Sequence, residues 1–255
     1  MADRVAAIPD YRTRFDWVIG PNRPLYITDV GAVLAAYIAF DFCSTDSPFD
    51  AFLRGEEAAL SNIEMRSMSL FYGKGSCGTY QTDHDFHAIS LPQFGPGKGH
   101  GPSGYADHGR AAVTGDPADS YKFRTPSLRN VTLTAPYSHN DAYTRLEDIV
   151  RHHLDPLTML AEYTLDRAVL HDLQMELPDG AALDDFDEML RVGMAAELVQ
   201  IQLSDAEVAA ILAFLGALGD PIARTGRVGV PASMPSGLPL DAAGGIAVTR
   251  DTPPT

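Results

Sequence analysis

The sequence predicts a mainly α-helical chain whose helices are interrupted by one long, irregular region rich in Gly and Pro. Two observations predict the helices. Apolar residues recur at helical spacing in several segments, and three Ser/Thr-x-x-Glu capping boxes mark helix starts, at Ser61-Asn62-Ile63-Glu64, Thr144-Arg145-Leu146-Glu147 and Ser204-Asp205-Ala206-Glu207. A third observation predicts the loops: residues 73–136 lose all helical period and are dominated by Gly, Pro, Asp and His. The 255 residues allow one large domain or two small ones, and a hydrophobic content of 45% is ordinary for a chain with a real core.

The first strong element is 27–42 (ITDVGAVLAAYIAFDF), apolar at helical spacing after Thr28 and Asp29, and read as a helix that is mostly buried. The Ser61 box opens a helix with Met65, Met68, Phe71 and Tyr72 on one face, stopped by Gly73; the methionines read as core filler. The run Gly95-Pro96-Gly97-Lys98-Gly99-His100-Gly101-Pro102 is a loop by any turn rule. So long an irregular region in a compact domain is either disordered or functional, and wrapping a large prosthetic group is one functional reason.

Helices return at the Thr144 box. Leu146, Ile149, Val150 and His153 fall at i, i+3, i+4 and i+7 and share one face, which places His153 among the apolar residues and His152 toward a more polar side. Helical texture continues over 157–174 and 183–199. The Ser204 box opens a helix that runs to Leu218 and ends at Gly219-Asp220-Pro221. Residues 223–255 read as a flexible tail.

A net charge of −15 argues against nucleic acid and against an anionic membrane surface, because both are bound through Lys and Arg. It would steer a positively charged small redox protein toward the chain, although plain solubility accounts for it equally well. Two cysteines, Cys43 and Cys77, cannot make a disulfide framework. No apolar run reaches the roughly 18 residues a membrane span needs. The N-terminal residues do not read as a secretory signal peptide, so the chain as written would stay in the cytoplasm unless a leader precedes it.

Several segments together resemble the bacterial dihaem cytochrome c peroxidase family, which includes the dihaem enzymes that mature tryptophan-derived quinone cofactors. Asp46-Ser47-Pro48-Phe49-Asp50 with Leu53-Arg54-Gly55 resembles the family's linker segment. Leu70-Phe71-Tyr72-Gly73-Lys74 and Thr82-Asp83-His84-Asp85-Phe86-His87 resemble the strips before and after its second haem-attachment motif. Phe123-Arg124-Thr125-Pro126-Ser127-Leu128-Arg129-Asn130-Val131 is the most specific match. It is followed by Leu133-Thr134-Ala135-Pro136-Tyr137 and by Leu146-Glu147-Asp148-Ile149-Val150-Arg151-His152-His153. The matches keep the family's order over roughly residues 40–155. They imply a cytochrome-c-like domain with long loops, comprising residues 46–222, after a remnant of a preceding domain and a connecting helix over residues 1–45.

The sequence departs from the family in two places. Between Gly73-Lys74 and Thr82-Asp83-His84 the segment is shortened and contains Cys77, but no Cys-x-x-Cys-His. A c-type haem uses two thiols and the adjacent His, so covalent attachment in the family's manner is not expected. The second departure is at the front, where the family's peroxide-reducing haem domain has no counterpart. Trp17, the single Trp, lies outside any matching electron-transfer motif.

The resemblance implies haem c as cofactor, with calcium as a further ligand. His153 aligns with the position supplying the second axial ligand to the C-terminal haem iron, and a core histidine on an apolar face is the plain alternative. Cys77 matches one attachment cysteine. Arg124, Thr125 and Arg129 contact haem propionates or tie down the loop, and His139 belongs to the haem-pocket segment. Thr134 and Pro136 match positions whose carbonyls form part of a calcium site. His84 and His87 are substitutes for the missing proximal ligand, and Asp83-His84-Asp85 has the look of a metal triad. The implied function is electron transfer to hydrogen peroxide, inactive without a partner carrying the other haem. A small cytochrome or cupredoxin, or a separate haem-domain chain, is the implied partner, and the periplasm the implied location. The alternative is a haem-free structural or protein-binding module that retains the fold.

Overall fold

A computed structural model of the chain describes residues 1–78, 83–95, 99–170, 179–229, 231 and 233–238. It divides into two compact units, one formed by residues 1–45 and 221–255, the other by residues 46–220. The part of the expected flexible tail beyond residue 238 lies outside the described residues.

The smaller unit contains α1 (Ala2–Ala6), α2 (Pro9–Ile19) and α3 (Ile27–Asp41). Helix α3 starts where Asp29 accepts from the Tyr26 backbone N–H, so the helix begins before Thr28 rather than after it. Its expected burial is not what the structure holds: Leu34, Ile38 and Phe40 are 54, 56 and 59% exposed. The segment is apolar all round instead of along one stripe, a pattern that reads as buried, yet its only buried residue is Asp41. At its end the Asp41 carboxylate accepts from the backbone N–H groups of Arg227 and Val228, tying the described C-terminal residues to α3.

The larger unit holds the core. Its helices are α4 (Pro48–Leu53), α5 (Asn62–Tyr72), α6 (Ala111–Thr114), α7 (Leu146–Leu154), α8 (Pro156–Ala161), α9 (Ala181–Asp184), α10 (Phe186–Met194) and α11 (Asp205–Ala217). The boxes at Ser61 and Ser204 form as the sequence predicts, each Ser hydroxyl accepting from the N3 amide while the Glu carboxylate returns to the N-cap amide. A further box, Ser47 with Asp50, opens α4 behind Pro48 at its first position.

The Thr144 box does not form. Arg145 occupies the N-cap of α7, and Glu147 instead pairs with Arg145 and with Arg151 one turn on. The helix read over 157–174 stops at Ala161, followed by a 3-10 turn at Leu165–Arg167; residues 171–178 lie outside the described residues. The 183–199 segment is carried by the end of α9 and by α10, beyond which the chain is irregular up to α11.

Helices α5 and α11 pack extensively against each other, and α7 joins them through Val150 and Leu154. Phe71, Val208, Ile211, Phe214 and Leu215 complete this cluster. A second cluster gathers Leu91, Tyr137, Tyr143, Ile149 and Tyr163 on the other side of α7. The irregular region crosses between them and contributes a two-stranded antiparallel ribbon, β1 (Phe86–His87) with β2 (Phe123–Arg124). Gly109 lets that region close on itself: it adopts φ +57°, and a Cβ there would sit 2.5 Å from the Lys122 carbonyl oxygen.

Candidate functional site

Where the two clusters and the ribbon meet, the larger unit forms a partly open cavity of about 470 Å³, within the usual range for a small-molecule or cofactor site. Its walls are largely apolar. Phe71 comes from α5, Leu146, Ile149 and Val150 from α7, Ile211 and Leu215 from α11, and Ile89, Leu91 and Phe123 from the irregular region. Into this lining are set Cys77, His87, Arg124, Thr125, Arg129, Thr134, Pro136, His139 and His153. Residues spread over 77 positions of chain, from Cys77 to His153, thus converge on one volume.

His153 lies in the last turn of α7, and its Nδ1 is 2.8 Å from the Ile149 carbonyl oxygen. A carbonyl only accepts, so Nδ1 carries the proton and the ring lone pair resides on Nε2. Burial pushes the His153 pKa down, which keeps the ring neutral, the form that binds metal.

Cys77 follows a tight turn stabilised by the Gly75 N–H bond to the Leu70 carbonyl, and its thiol donates to the Gly75 carbonyl at 3.3 Å. Burial pushes the thiol up to about 11, so it is protonated and unreactive at neutral pH.

The two arginines differ. Arg129 makes a paired interaction with the Asp50 carboxylate, at 2.6 Å through each terminal nitrogen, which ties the 125–131 loop to α4. Arg124 is exposed on β2, at the cavity wall. Thr125 is buried, its amide donating to the Asp85 carbonyl. His139 is stacked on Phe123 with ring centroids 3.9 Å apart, and its Nε2 lies 3.0 Å from Asp107. The Thr134 hydroxyl donates to the Val131 carbonyl, and Thr134 and Pro136 line the same wall.

The substitute ligands do not gather as a metal set. His87 is held between two carboxylates, Nδ1 at 2.9 Å from Glu197 and Nε2 at 2.8 Å from Asp83, with Lys122 on the far oxygen of Glu197 at 2.9 Å. Burial alone would lower the His87 pKa; the two carboxylates reverse that and raise it. His84 faces a smaller neighbouring cavity of about 280 Å³ beside Tyr72, Arg129 and Phe214. Among the described residues no three His, Cys, Asp or Glu side chains form a metal-holding group, and the Asp83-His84-Asp85 triad is not assembled.

His152 is not on a polar side. It is fully buried, Nε2 at 2.6 Å from the Ile89 carbonyl and Nδ1 at 2.9 Å from the Tyr143 hydroxyl. Burial pushes its pKa down to about 3, so it is neutral. The helical wheel misplaces it because both faces of α7 are covered, one by each core cluster.

A helical unit whose long loops close an apolar cavity, with one imidazole presented from a core helix, defines a cytochrome-c-like domain. No family model matches the chain. A cytochrome-c peroxidase, IdrP1, of Pseudomonas sp. (strain SCT) is 30% identical over 178 residues, covering 59% of this chain and 46% of that protein. The methylamine utilization protein MauG of Paracoccus denitrificans is 30% identical over 244 residues, 86% of this chain and 59% of its own length. The crystal structure of a MauG-like protein associated with microbial copper homeostasis superimposes with a TM-score of 0.59 at 26% identity, covering 87% of this chain and 62% of that one. The chain is thus similar to dihaem enzymes of the cytochrome c peroxidase and MauG kind. It spans about half the length of the curated relatives it matches.

Proposed function

We propose that the unit formed by residues 46–220 binds haem in the central cavity, where His153 would ligate the iron, and serves as the electron-transfer half of a peroxidase-type oxidoreductase. The observation that carries the reading is the donor set of the cavity. One neutral imidazole with its lone pair on Nε2, a protonated thiol, apolar walls and an arginine at the wall fit a flat apolar group bearing carboxylates. Bound haem supplies one-electron redox chemistry.

The chain's own residues divide the remaining work. The Phe71, Ile149, Val150, Ile211 and Leu215 walls exclude water and lower the local dielectric, which governs the reduction potential. Arg124 offers a guanidinium to a propionate, whereas Arg129, committed to Asp50, holds the loop beneath it. His139 is oriented by Asp107 and by its stack on Phe123. Cys77 lines the cavity as the single thiol in reach, so attachment through two thioethers is not part of the proposal. The carbonyls of Thr134 and Pro136 are hard oxygen donors of the kind calcium takes, and would complete a site only with further ligands.

The proposed electron donor is a positively charged small cytochrome or cupredoxin, drawn by the net charge of −15, and the proposed acceptor is hydrogen peroxide at a second haem. The periplasm is the proposed location. No helix among the described residues is long and apolar enough to cross a membrane.

Stopped-flow mixing of the haem-loaded chain with a reduced basic cytochrome tests the proposal. Haem reduction that slows as salt is raised is the expected result. A colourless protein from cells competent in cytochrome c maturation that also takes up no added haem, or a loaded protein that accepts no electrons, would contradict it.

A further inference from the structure

We infer that His152 is a positioning residue for the cavity: its imidazole fastens three separate wall segments around His153. The bond polarities are forced. The Ile89 carbonyl accepts only, so Nε2 of His152 carries the proton; Nδ1 is then an acceptor, and the Tyr143 hydroxyl must donate to it. Ile89 belongs to a wall segment that continues through Leu91, and Tyr143 closes the 137–143 loop through reciprocal backbone bonds with Tyr137. Tyr137 and His139, on that loop, line the cavity, as does His153, the next residue on α7. One side chain therefore joins the helix, the 87–91 strip and the 137–143 loop.

A fully buried imidazole is costlier to place than a Leu or Phe of similar bulk, and its polar atoms offset that cost only when every bond is made. Here both ring nitrogens are bonded, Tyr143 is fully buried, and the Tyr163 hydroxyl donates to the Ala142 carbonyl behind it at 2.7 Å. A satisfied network of this kind fixes one geometry where apolar packing would accept several. Its consequence is specific: His152 and His153, adjacent in sequence, hold opposite tautomers, Nε2–H and Nδ1–H, and His153 lines the cavity that the three segments enclose on its side of α7.

The consequence for ligation rests on the haem reading, but the positioning does not, so the test has two arms. In the haem-free protein, nitrogen-15 NMR of the imidazoles should report Nε2–H for His152 and Nδ1–H for His153. His152→Phe should move the His153 resonances, and His152→Gln, which can still donate to Ile89 and accept from Tyr143, should restore them. In the haem-loaded protein, His152→Phe should weaken haem binding about tenfold, as loss of an orienting partner commonly does. It should also split the axial-ligand signature in the absorption and EPR spectra, with His152→Gln recovering a single species. Tyr143→Phe removes one bond only and should give a smaller effect of the same kind, which covers a His152→Phe protein that fails to fold. Unchanged His153 resonances in His152→Phe, or in Tyr143→Phe if the first does not fold, would overturn the inference. An unchanged axial signature in a variant that binds haem would also overturn it. Haem uptake by none of the proteins would sink the haem reading and leave the NMR arm to decide the positioning.

Discussion

Arg129 is the residue whose part in the fold is most open to measurement. Its guanidinium bond holds the Asp50 carboxyl down to about 2, helped by the Ser47 hydroxyl and amide. Because the folded pKa is depressed, the stabilisation is full above the unfolded value of about 3.9 and disappears as pH falls toward 2. Arg129→Met should cost about 1–2 kcal/mol at neutral pH, less than a fully buried pair because Arg129 is 39% exposed. It should also flatten the acid limb of a pH series of melting temperatures.

His87 works in the opposite sense. Its folded pKa is raised, so its contribution is full below the unfolded value of about 6.5 and is lost as pH climbs through the folded value. Glu197→Gln should flatten that alkaline loss in the same series of melts. At this scale the sequence identifies residues better than partners. Cys77, Arg124, Arg129, Thr134, Pro136, His139 and His153 all reach one cavity, but Asp50, Asp107 and Glu197 lie far away in sequence from the groups they hold, and no local pattern connects them.

Among the elements, the capping boxes separate what local sequence can decide from what it cannot. Ser61, Ser204 and Ser47 each cap the helix they precede, so Ser204→Ala should cost about 1 kcal/mol in chemical denaturation. Thr144 has the same spelling and is exposed one residue before the N-cap, Arg145; Thr144→Ala should leave the midpoint unchanged. The difference is tertiary: Tyr143 is locked by its bonds to Tyr137 and His152, which sets where α7 can begin. The same locking explains His152, whose place on the helical wheel points away from a core that two clusters extend to both sides. Helix α3 fails in the reverse direction, since a segment apolar all round reads as buried and leaves Leu34, Ile38 and Phe40 exposed.

For the whole molecule, the cavity bears on stability as well as on the proposed function. A cavity of about 470 Å³ lined by Phe71, Ile149, Val150, Ile211 and Leu215 forgoes packing that a filled core would have. A ligand that fills it stabilises by mass action, about 2.7 kcal/mol at a free concentration a hundred times its dissociation constant. For a domain of this size that corresponds to a rise in melting temperature of about 5–10 °C, readable by calorimetry with and without haem.

The class of fold is legible in the sequence because helix periods and caps are local. The cavity is not, since its walls come from α5, α7, α11 and the ribbon, which only the finished fold assembles. On the proposed reading this cavity takes haem through His153. An absorption titration of the haem-free chain with haem, run beside His153→Ala, tests it most directly. A Soret band that saturates at one haem per chain, with altered position and weaker binding in His153→Ala, is the predicted result. No saturable band in the natural chain, or indistinguishable titrations for the two proteins, would contradict it.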